Sequence, residues 1–418
     1  MDMPDSATIH PQQFPYQERV LFLTELAKRL HFGGATAQRL EKAMTNASER
    51  FGIHCEPFVQ PTGIILSFSD SSKPSGSTDI TRVIRLPFVE TNLRLLSEAD
   101  RIAESVADGS LSLPEGYRQM AALDQISTSF RVLLKILALT GLASGIAMLL
   151  RLPWPDVGVA TFNGFLAGVL GWYASSRPRL HEAITALTAF ICTSVVLFVE
   201  SFFVPLNQNT VIIASLVALM PGMHLTNSIN ELCAGHLSAG VARFAGAVSI
   251  MLQLCVGALI AFYIFNFLGV SLQVRPSRPQ PVAVEMLGMA LAASSFAVLF
   301  QATRRDFLYV ICAACLGYLL VKFGGDKFGA PAGVFISACV LTGLGNLFGR
   351  VFHRPGAIIR IPGIVMLVPG SASVKALLNV LQQNVEPGEG ILAIAYILMA
   401  IVAGIIFGNL FVPTRSTL

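Results

Sequence analysis

The sequence predicts a polytopic α-helical membrane protein of about ten spans, built as a 5+5 inverted repeat with two Pro-Gly-broken helices and preceded by a cytoplasmic α+β domain. Three observations support this fold class. Only 13% of the 418 residues are charged, against roughly 25% in a soluble domain. The mean hydropathy is +0.64. Two Pro-Gly pairs also interrupt long apolar stretches at nearly equivalent positions of the chain.

The charge distribution divides the chain into a polar N-terminal part and an apolar remainder. Residues 1–130 carry a net charge of −4, and residues 131–418 carry +8 with far fewer charges per residue. This composition excludes a disordered chain, a disulfide scaffold and an ordinary cytosolic enzyme. We therefore expect a flexible tail over 1–14, a soluble cytoplasmic α+β domain over 15–128, and two five-span membrane repeats over 129–270 and 280–415.

Hydrophobic periodicity predicts the elements of the soluble domain. Apolar residues at helical spacing follow Pro15, and His31-Phe32-Gly33-Gly34 divides them into two helices. Alternating apolar residues then predict three strands, and two further helices follow. The predicted strands are Ile53–Gln60, Gly63–Ser69 and Thr81–Phe88, and the later helices are Leu93–Val106 and Pro114–Ser127.

The remainder contains ten apolar stretches separated by Pro, Gly and Arg. A membrane helix needs about 20 residues, and each stretch is close to that length. They lie near 131–150, 157–176, 182–200, 210–234, 240–268, 283–301, 306–323, 331–349, 357–382 and 389–411.

Similar segments recur at a nearly constant offset. The two Pro-Gly pairs lie 148 residues apart, and AFICTSVV from Ala189 resembles VFISACVL from Val334 at an offset of 145. A duplicated unit of five spans would place the second copy upside down relative to the first. An inverted repeat with interrupted helices is typical of secondary transporters, whose substrate site lies at the interruptions.

Basic residues indicate the orientation. With the N terminus inside, nine basic residues after the first span would be cytoplasmic and six external, in agreement with the positive-inside rule. No charged-then-apolar signal peptide opens the chain. We expect a multi-pass protein of the cytoplasmic (inner) membrane with a cytoplasmic N terminus.

The strongest candidate site follows the first Pro-Gly pair, Pro221-Gly222. Proline removes a backbone donor and glycine permits an unwound turn, so a new half-helix can begin here with its N–H groups facing a cavity. Asn227 and Glu231 are four residues apart on that half-helix, and His224 lies on an adjacent stripe. The alternative interpretation is that Glu231 lies at the cytoplasmic end and pairs with Arg243.

The second candidate site begins at Pro369-Gly370. Ser371, Ser373 and Lys375 would surround a second half-helix N terminus, and two such termini could receive a substrate carboxylate. Lys375 could equally lie at the external surface.

Transport by this protein would have to be driven by an ion gradient or a substrate gradient, because the sequence has no ATP-binding motif. No phosphate-binding loop, nucleophile elbow or Cys/His metal spacing occurs, so we expect no cofactor, no metal and no nucleic-acid partner. The titratable candidates for proton coupling are Glu231, His224 and His236. The expected partners are a small-molecule substrate, the proton and the lipid bilayer, and a homo-oligomer stays open.

The sequence resembles the threonine/serine exporter family. ERVLFLTELAKRLHFGGATAQRLEKAM resembles the start of that family's soluble domain, and LVPGSASVKALLNVL resembles the motif of its C-terminal half. LVALMPGMHLTNSINELCAGHLSAGVARFAGA resembles its most distinctive signature, matched here by Pro221, Gly222, Asn227, Glu231, Gly235, His236, Gly240 and Arg243. The resemblance implies a ten-span secondary exporter of small hydrophilic amino acids, driven by the proton gradient.

Two alternatives to an amino-acid exporter remain. Related proteins are associated with dicarboxylate export, and a dicarboxylate such as succinate would make Lys375 and Arg243 more important than Glu231. The other alternative is a membrane-tethered enzyme with its active site in residues 15–128. Ten spans exceed what an anchor needs, and that segment shows no nucleophile–base pattern.

Overall fold

The N-terminal part of the chain folds as an α+β unit. The computed structural model describes residues 11–70, 79–123, 128–268, 279–367 and 387–413. After a short 3-10 helix (Pro11–Gln13), the N-terminal unit (residues 16–123) has four helices and a three-stranded antiparallel sheet in the order β1-β2-β3. Its elements are α1 Tyr16–Phe32, α2 Ala37–Arg50, β1 Ile53–Gln60, β2 Gly63–Asp70, β3 Ile80–Arg85, α3 Leu93–Ala107 and α4 Leu113–Ala122.

Side-chain alternation decides which face of the sheet is covered. Successive residues of a strand point to opposite faces of the sheet. In β2, Ile64, Leu66 and Phe68 therefore share one face, and all three are buried. Strand β1 pairs with β2 from Ile53 opposite Asp70. The buried face packs against the helices of the unit and forms a core with large side chains such as Phe22, Leu40, Met44 and Leu96.

The rest of the described chain consists of long apolar helices. Eight of them are long and apolar enough to cross a membrane, and the pair α8–α9 counts as a ninth span if it is taken as one broken helix. The chain is therefore a polytopic helical membrane protein. The helices are α5 Thr128–Leu149, α6 Trp154–Ser175, α7 Pro178–Phe202, α8 Gln208–Leu216, α9 Gly222–Cys233, α10 Leu237–Phe267, α11 Val282–Leu299, α12 Phe307–Phe328, α13 Ala330–Phe352, α14 Ala357–Val365 and α15 Pro387–Phe411.

The ninth predicted stretch, 357–382, is only partly described. Its first part forms α14, and residues 368–386 lie outside the described residues. The prediction of ten spans is therefore supported for eight single helices and for the broken pair α8–α9.

The membrane helices form two groups with the same neighbours. In the first group α6 packs on α5, α7 and α8, and α7 packs on α10. In the second group α12 packs on α11, α13 and α14, and α13 packs on α15. The two groups meet where α5 packs on α11.

The N-terminal unit packs directly on the ends of several membrane helices. Its hydrophobic core is continuous with Ala239 of α10, Ala297 of α11 and Phe348 of α13. The backbone N–H of Leu93 donates to the carbonyl of Phe300 at 2.9 Å, just beyond the end of α11. The unit is therefore one packed body with one end of the helix assembly.

Glycine allows the close approach of α7 and α10, and a side chain added there should separate them. A Cβ on Gly257 would collide with the carbonyl oxygen of Ala186. We expect Gly257→Ala to lower the free energy of unfolding by about 1–3 kcal/mol, as overpacking does, measured by thermal unfolding in detergent micelles. Gly171→Ala is the matched control, because a Cβ there meets no atom of the described residues within 4 Å. Equal unfolding temperatures for the two variants would contradict this packing.

Candidate functional site

The chain breaks at Pro221, between α8 and α9. The segment Gln208–Leu219 and the helix Gly222–Cys233 meet at an angle of 61°. Pro221 and Gly222 are buried, and Pro221 lies at the start of α9. The break therefore places the first turn of α9 inside the protein.

Glu231 on α9 joins three elements. Its carboxylate is fully buried and accepts two hydrogen bonds from the guanidinium of Arg243 on α10, at 2.9 and 3.0 Å. It also accepts the backbone N–H of Ala37 at 2.9 Å. Ala37 is the first residue of α2, whose preceding residue, Thr36, makes no side-chain cap. Glu231 therefore supplies the negative charge that a helix N terminus attracts, and it fastens the N-terminal unit to α9 and α10.

The turn between α9 and α10 makes a second polar contact with the N-terminal unit. The Nδ1 atom of His236 lies 3.1 Å from the Glu41 carboxylate of α2. Gly235 in this turn has φ +85°, a conformation that favours glycine. Gly240 lets α10 approach α9, since a Cβ there would lie 2.9 Å from the carbonyl oxygen of Ser228. These residues shape the junction between the two helices and the N-terminal unit.

His224 lies on the first turn of α9. Its ring packs on Phe88 of the N-terminal unit, with ring centroids 4.4 Å apart. Its Nδ1 atom is buried and has no hydrogen-bond partner among the residues that the structure describes. The positive charge of Arg243 also acts on this ring. His224 therefore belongs to the contact with the N-terminal unit, near the Glu231–Arg243 pair.

Asn227 lines a cavity between the N-terminal unit and the membrane helices. The cavity has a volume of about 30 Å³ and is bounded by the turn before α2, by α9, by α14 and by Ile405 of α15. Asn227 and Glu231 both lie on α9, but the structure places them differently. Asn227 borders the cavity, whereas the Glu231 carboxylate is occupied by Arg243 and Ala37.

Pro369, Gly370, Ser371, Ser373 and Lys375 lie outside the described residues, so the second half-site stays a prediction. Within the described ranges, no group of three or more His, Cys, Asp or Glu side chains could hold a metal ion.

The cavity also contains polar residues that sequence reasoning missed: Arg39, Thr226, Asn230 and Arg360. Arg360 could have been recognised from the sequence, because placing a charged residue inside the apolar segment AIIRIPGIV costs free energy and usually marks a functional position. Arg39 could not have been recognised in this way, since it lies on an amphipathic helix of the N-terminal unit, where charged residues are common.

The fold defines a multi-pass helical membrane protein with a broken helix, and sequence comparison gives the family. A family described as "Putative threonine/serine exporter" matches residues 21–265, and a second described as "Threonine/Serine exporter, ThrE" matches residues 285–411. The chain belongs to the threonine/serine exporter family. Both descriptions name exporters, which favours transport over the enzyme hypothesis.

Relatives occur in bacteria and yeasts. The chain is 24% identical to a "Probable threonine/serine exporter" of Mycobacterium tuberculosis over 411 residues, covering 94% of this chain and 76% of the relative. It is 25% identical to "Pheromone-regulated membrane protein 10" of Debaryomyces hansenii, covering 89% of this chain and 37% of the relative. A Saccharomyces cerevisiae protein with the same description is 24% identical, covering 87% and 48%.

The chain thus spans between about a third and a half of the length of these yeast relatives. No solved structure matches the chain.

Breaking the Glu231–Arg243 pair should destabilise the junction. Glu231→Gln leaves a buried guanidinium without its carboxylate, which costs about 3–5 kcal/mol, and we expect a lower unfolding temperature and faster proteolysis of the N-terminal unit. Glu182→Gln, which removes an exposed carboxylate at the start of α7, is the control. The double variant Glu231→Gln/Arg243→Gln should lose less unfolding free energy than the sum of the losses in the two single variants. Additive losses would contradict a direct pair.

Acid should weaken the N-terminal unit through His31. Burial lowers the pKa of His31, the hydrogen bond to the Pro87 carbonyl (3.1 Å) raises it, and the charge of Arg243 lowers it again, with a net lowering. Below about pH 6.5 the unfolded chain therefore binds the proton that folded His31 resists, so stability falls as the pH drops towards the lowered pKa. In the His31→Gln variant, the unfolding temperature should depend less on pH between pH 7 and pH 5 than it does in the wild-type chain.

The control for this acid effect is His54→Gln, which changes an exposed histidine and should keep the wild-type slope. An unchanged slope in His31→Gln would assign the acid sensitivity to other groups.

Proposed function

We propose that this protein is a secondary active exporter of small hydrophilic amino acids, threonine or serine, coupled to the proton gradient. The observation that carries the proposal is the break at Pro221, which puts a helix N terminus and Asn227 at an internal cavity. Half-helix ends inside a membrane protein are where secondary transporters bind polar cargo. The family membership and the Mycobacterium tuberculosis relative support the same class of cargo.

An inverted repeat would supply the alternating access that export needs, and the packing of α5 on α11 supports one. Gly141 lies against Ser295, whereas Gly145, further along α5, lies against Ala292 and Gly288. Partner numbers fall as α5 proceeds, so the two helices run antiparallel. Helices that begin two repeats and run antiparallel across their contact are expected when the repeats are inverted.

Equivalent close contacts in the two halves give independent support. Gly257 of α10 approaches the Ala186 carbonyl and the Ala189 Cβ of α7. Gly404 of α15, 147 residues later, makes the equivalent approach to α13, since a Cβ added there would lie 2.6 Å from the Phe335 carbonyl oxygen and 2.6 Å from the Ala338 Cβ. Each contact partner lies 149 residues after its counterpart. These contacts pair Ala189 with Ala338, about one helical turn beyond Val334, with which the sequence comparison paired it.

Proton coupling would act where the N-terminal unit meets α9 and α10. The candidates remain Glu231, His236 and His224, and each of them contacts the N-terminal unit through Ala37, Glu41 or Phe88. Adding or removing a proton at such a contact changes its charge balance. We propose that protonation alters how tightly the unit is held against the cavity.

The proposed location is the cytoplasmic membrane with the N-terminal unit in the cytoplasm. The unit packs at the end of the helix assembly that carries Arg350 in the last turn of α13 and three arginines in connections between helices, Arg304, Arg305 and Arg354. A cytoplasmic position for this end agrees with the positive-inside rule. Cargo would then reach the cavity from the side that the unit covers.

A dicarboxylate exporter is the second candidate. Arg39 and Arg360 both line the cavity, and two guanidinium groups suit carboxylate cargo. The sequence-based version of this hypothesis relied on Lys375 and Arg243. Arg243 is bound to Glu231 instead, and Lys375 lies outside the described residues, so Arg39 and Arg360 replace them as its basis.

Efflux measurements test the proposed function. Cells preloaded with labelled threonine, serine or succinate should release threonine or serine when they express the wild-type chain, and a proton uncoupler should suppress that release. Asn227→Ala should slow efflux at least tenfold without changing the unfolding temperature, because it removes a polar group at the cavity. Arg305→Gln, which alters an exposed residue at the same end, should export normally.

Three outcomes would contradict the proposal. Succinate efflux without threonine or serine efflux would support the second candidate. Uncoupler-insensitive efflux would remove proton coupling. Absence of all three fluxes in a folded protein would reject export of these solutes.

A further inference from the structure

The cavity beside α9 is lined from both parts of the molecule. The N-terminal unit contributes Gly34, Thr36 and Arg39, and the membrane helices contribute Thr226, Asn227 and Arg360. Its volume of about 30 Å³ admits about two water molecules or one carboxylate group. A site that needs residues from both parts exists only while the N-terminal unit is docked.

Two like charges face each other across this cavity. Arg39 and Arg360 both line the cavity, and they are close enough for the positive charge of Arg39 to act on Arg360. Burial lowers the pKa of Arg39, and the nearby Asp100 carboxylate raises it. The described lining of the cavity contains these two guanidinium groups and no carboxylate, so the cavity carries an excess of positive charge. Uncompensated charge in a partly buried place is costly, so an anion at this position would be stabilised.

Thr226 also lines the cavity, and its hydroxyl group is unsatisfied among the described residues. Thr226 is 1% exposed, and its Oγ1 atom makes no hydrogen bond within the described structure. Buried hydroxyl groups are nearly always satisfied. Thr226 lies one residue before Asn227, on the half-helix that begins at the Pro221 break. A ligand in the cavity would provide the missing partner.

We propose that this cavity binds the carboxylate group of the exported amino acid, with Arg39 and Arg360 as its cationic ligands and Thr226 as a hydrogen-bonding partner. The inference rests on the proposed function and adds to it that the N-terminal unit contributes a residue to the cargo site. Guanidinium groups bind carboxylates through paired N–H donors, which gives both affinity and orientation. The cavity volume of about 30 Å³ holds one carboxylate group rather than two.

Access to the cavity depends on the start of α2. Arg39 lies two residues after Ala37, whose N–H is held by Glu231. The cavity holds a carboxylate group, whereas a whole amino acid needs more room, so the turn before α2 has to shift when cargo enters or leaves. The Glu231 bond therefore controls the position of a cargo-binding arginine without contacting the cargo.

Equilibrium binding tests the inference separately from transport. The purified full chain in lipid nanodiscs is titrated with labelled L-threonine, and unlabelled threoninamide, succinate and inorganic phosphate are added as competitors. Threoninamide keeps the ammonium and hydroxyl groups but lacks the carboxylate, so it should fail to compete. Arg39→Gln and Arg360→Gln should each weaken threonine binding about ten- to a hundredfold, the effect expected for one charged hydrogen-bonding partner.

Conservative and control variants make the result specific. Arg39→Lys and Arg360→Lys keep the charge but lose the paired donors, so they should recover part of the affinity. Thr226→Val should weaken binding less than either Gln variant, and Arg305→Gln should leave it unchanged. Where a Gln variant unfolds, the comparison of threonine with threoninamide on the wild-type chain still decides the question.

Each outcome bears on one claim. Wild-type affinity in both Gln variants, or equal competition by threoninamide, overturns the inference even if threonine efflux is normal. Arginine-dependent threonine binding without any efflux supports the site and rejects the proposed function. Succinate or phosphate binding more tightly than threonine through the same arginines overturns the assignment to a single amino-acid carboxylate.

Discussion

The fully buried Glu231 carboxylate connects the two parts of this molecule. It accepts hydrogen bonds from Arg243 and from the first N–H of α2, so a membrane helix pair and the N-terminal unit share one charged centre. A buried charge is tolerable only when its partners remain in place. This requirement fixes the position of α2, and with it the position of Arg39 at the cavity. The docking of the unit and the composition of the candidate site therefore depend on the same contact.

The break at Pro221 complements this centre. Since proline and glycine interrupt the helix, α9 turns away from α8 by 61° and presents Thr226 and Asn227 to the space that the N-terminal unit covers. Close glycine contacts between helices, such as Gly141 and Gly145 of α5 against α11, hold the frame around it. A rigid frame with one broken helix can localise movement to the break, as an alternating-access mechanism requires.

Much of the candidate site could be predicted from local patterns, and part of it could not. The Pro-Gly break, Asn227, Glu231 and Arg243 were recognisable because proline, glycine and charged residues are unusual within apolar stretches. The assignment of Glu231 to the cargo, however, assumed an open cavity next to it. Its carboxylate is instead bound to Arg243 and to a backbone N–H from α2, 194 residues away in sequence. No local pattern indicates a hydrogen bond to a backbone group so distant.

The sequence by itself determined the class of fold, since hydropathy and helix length depend only on composition and spacing along the chain. It also determined where the helix breaks and which family the chain resembles. Only the tertiary structure decided that Arg39 and Arg360 meet at one cavity, and that α5 runs antiparallel to α11. Both facts depend on which distant segments pack together. That outcome is set by the fit of whole helix faces and buried charges, and it leaves no signature at any single position.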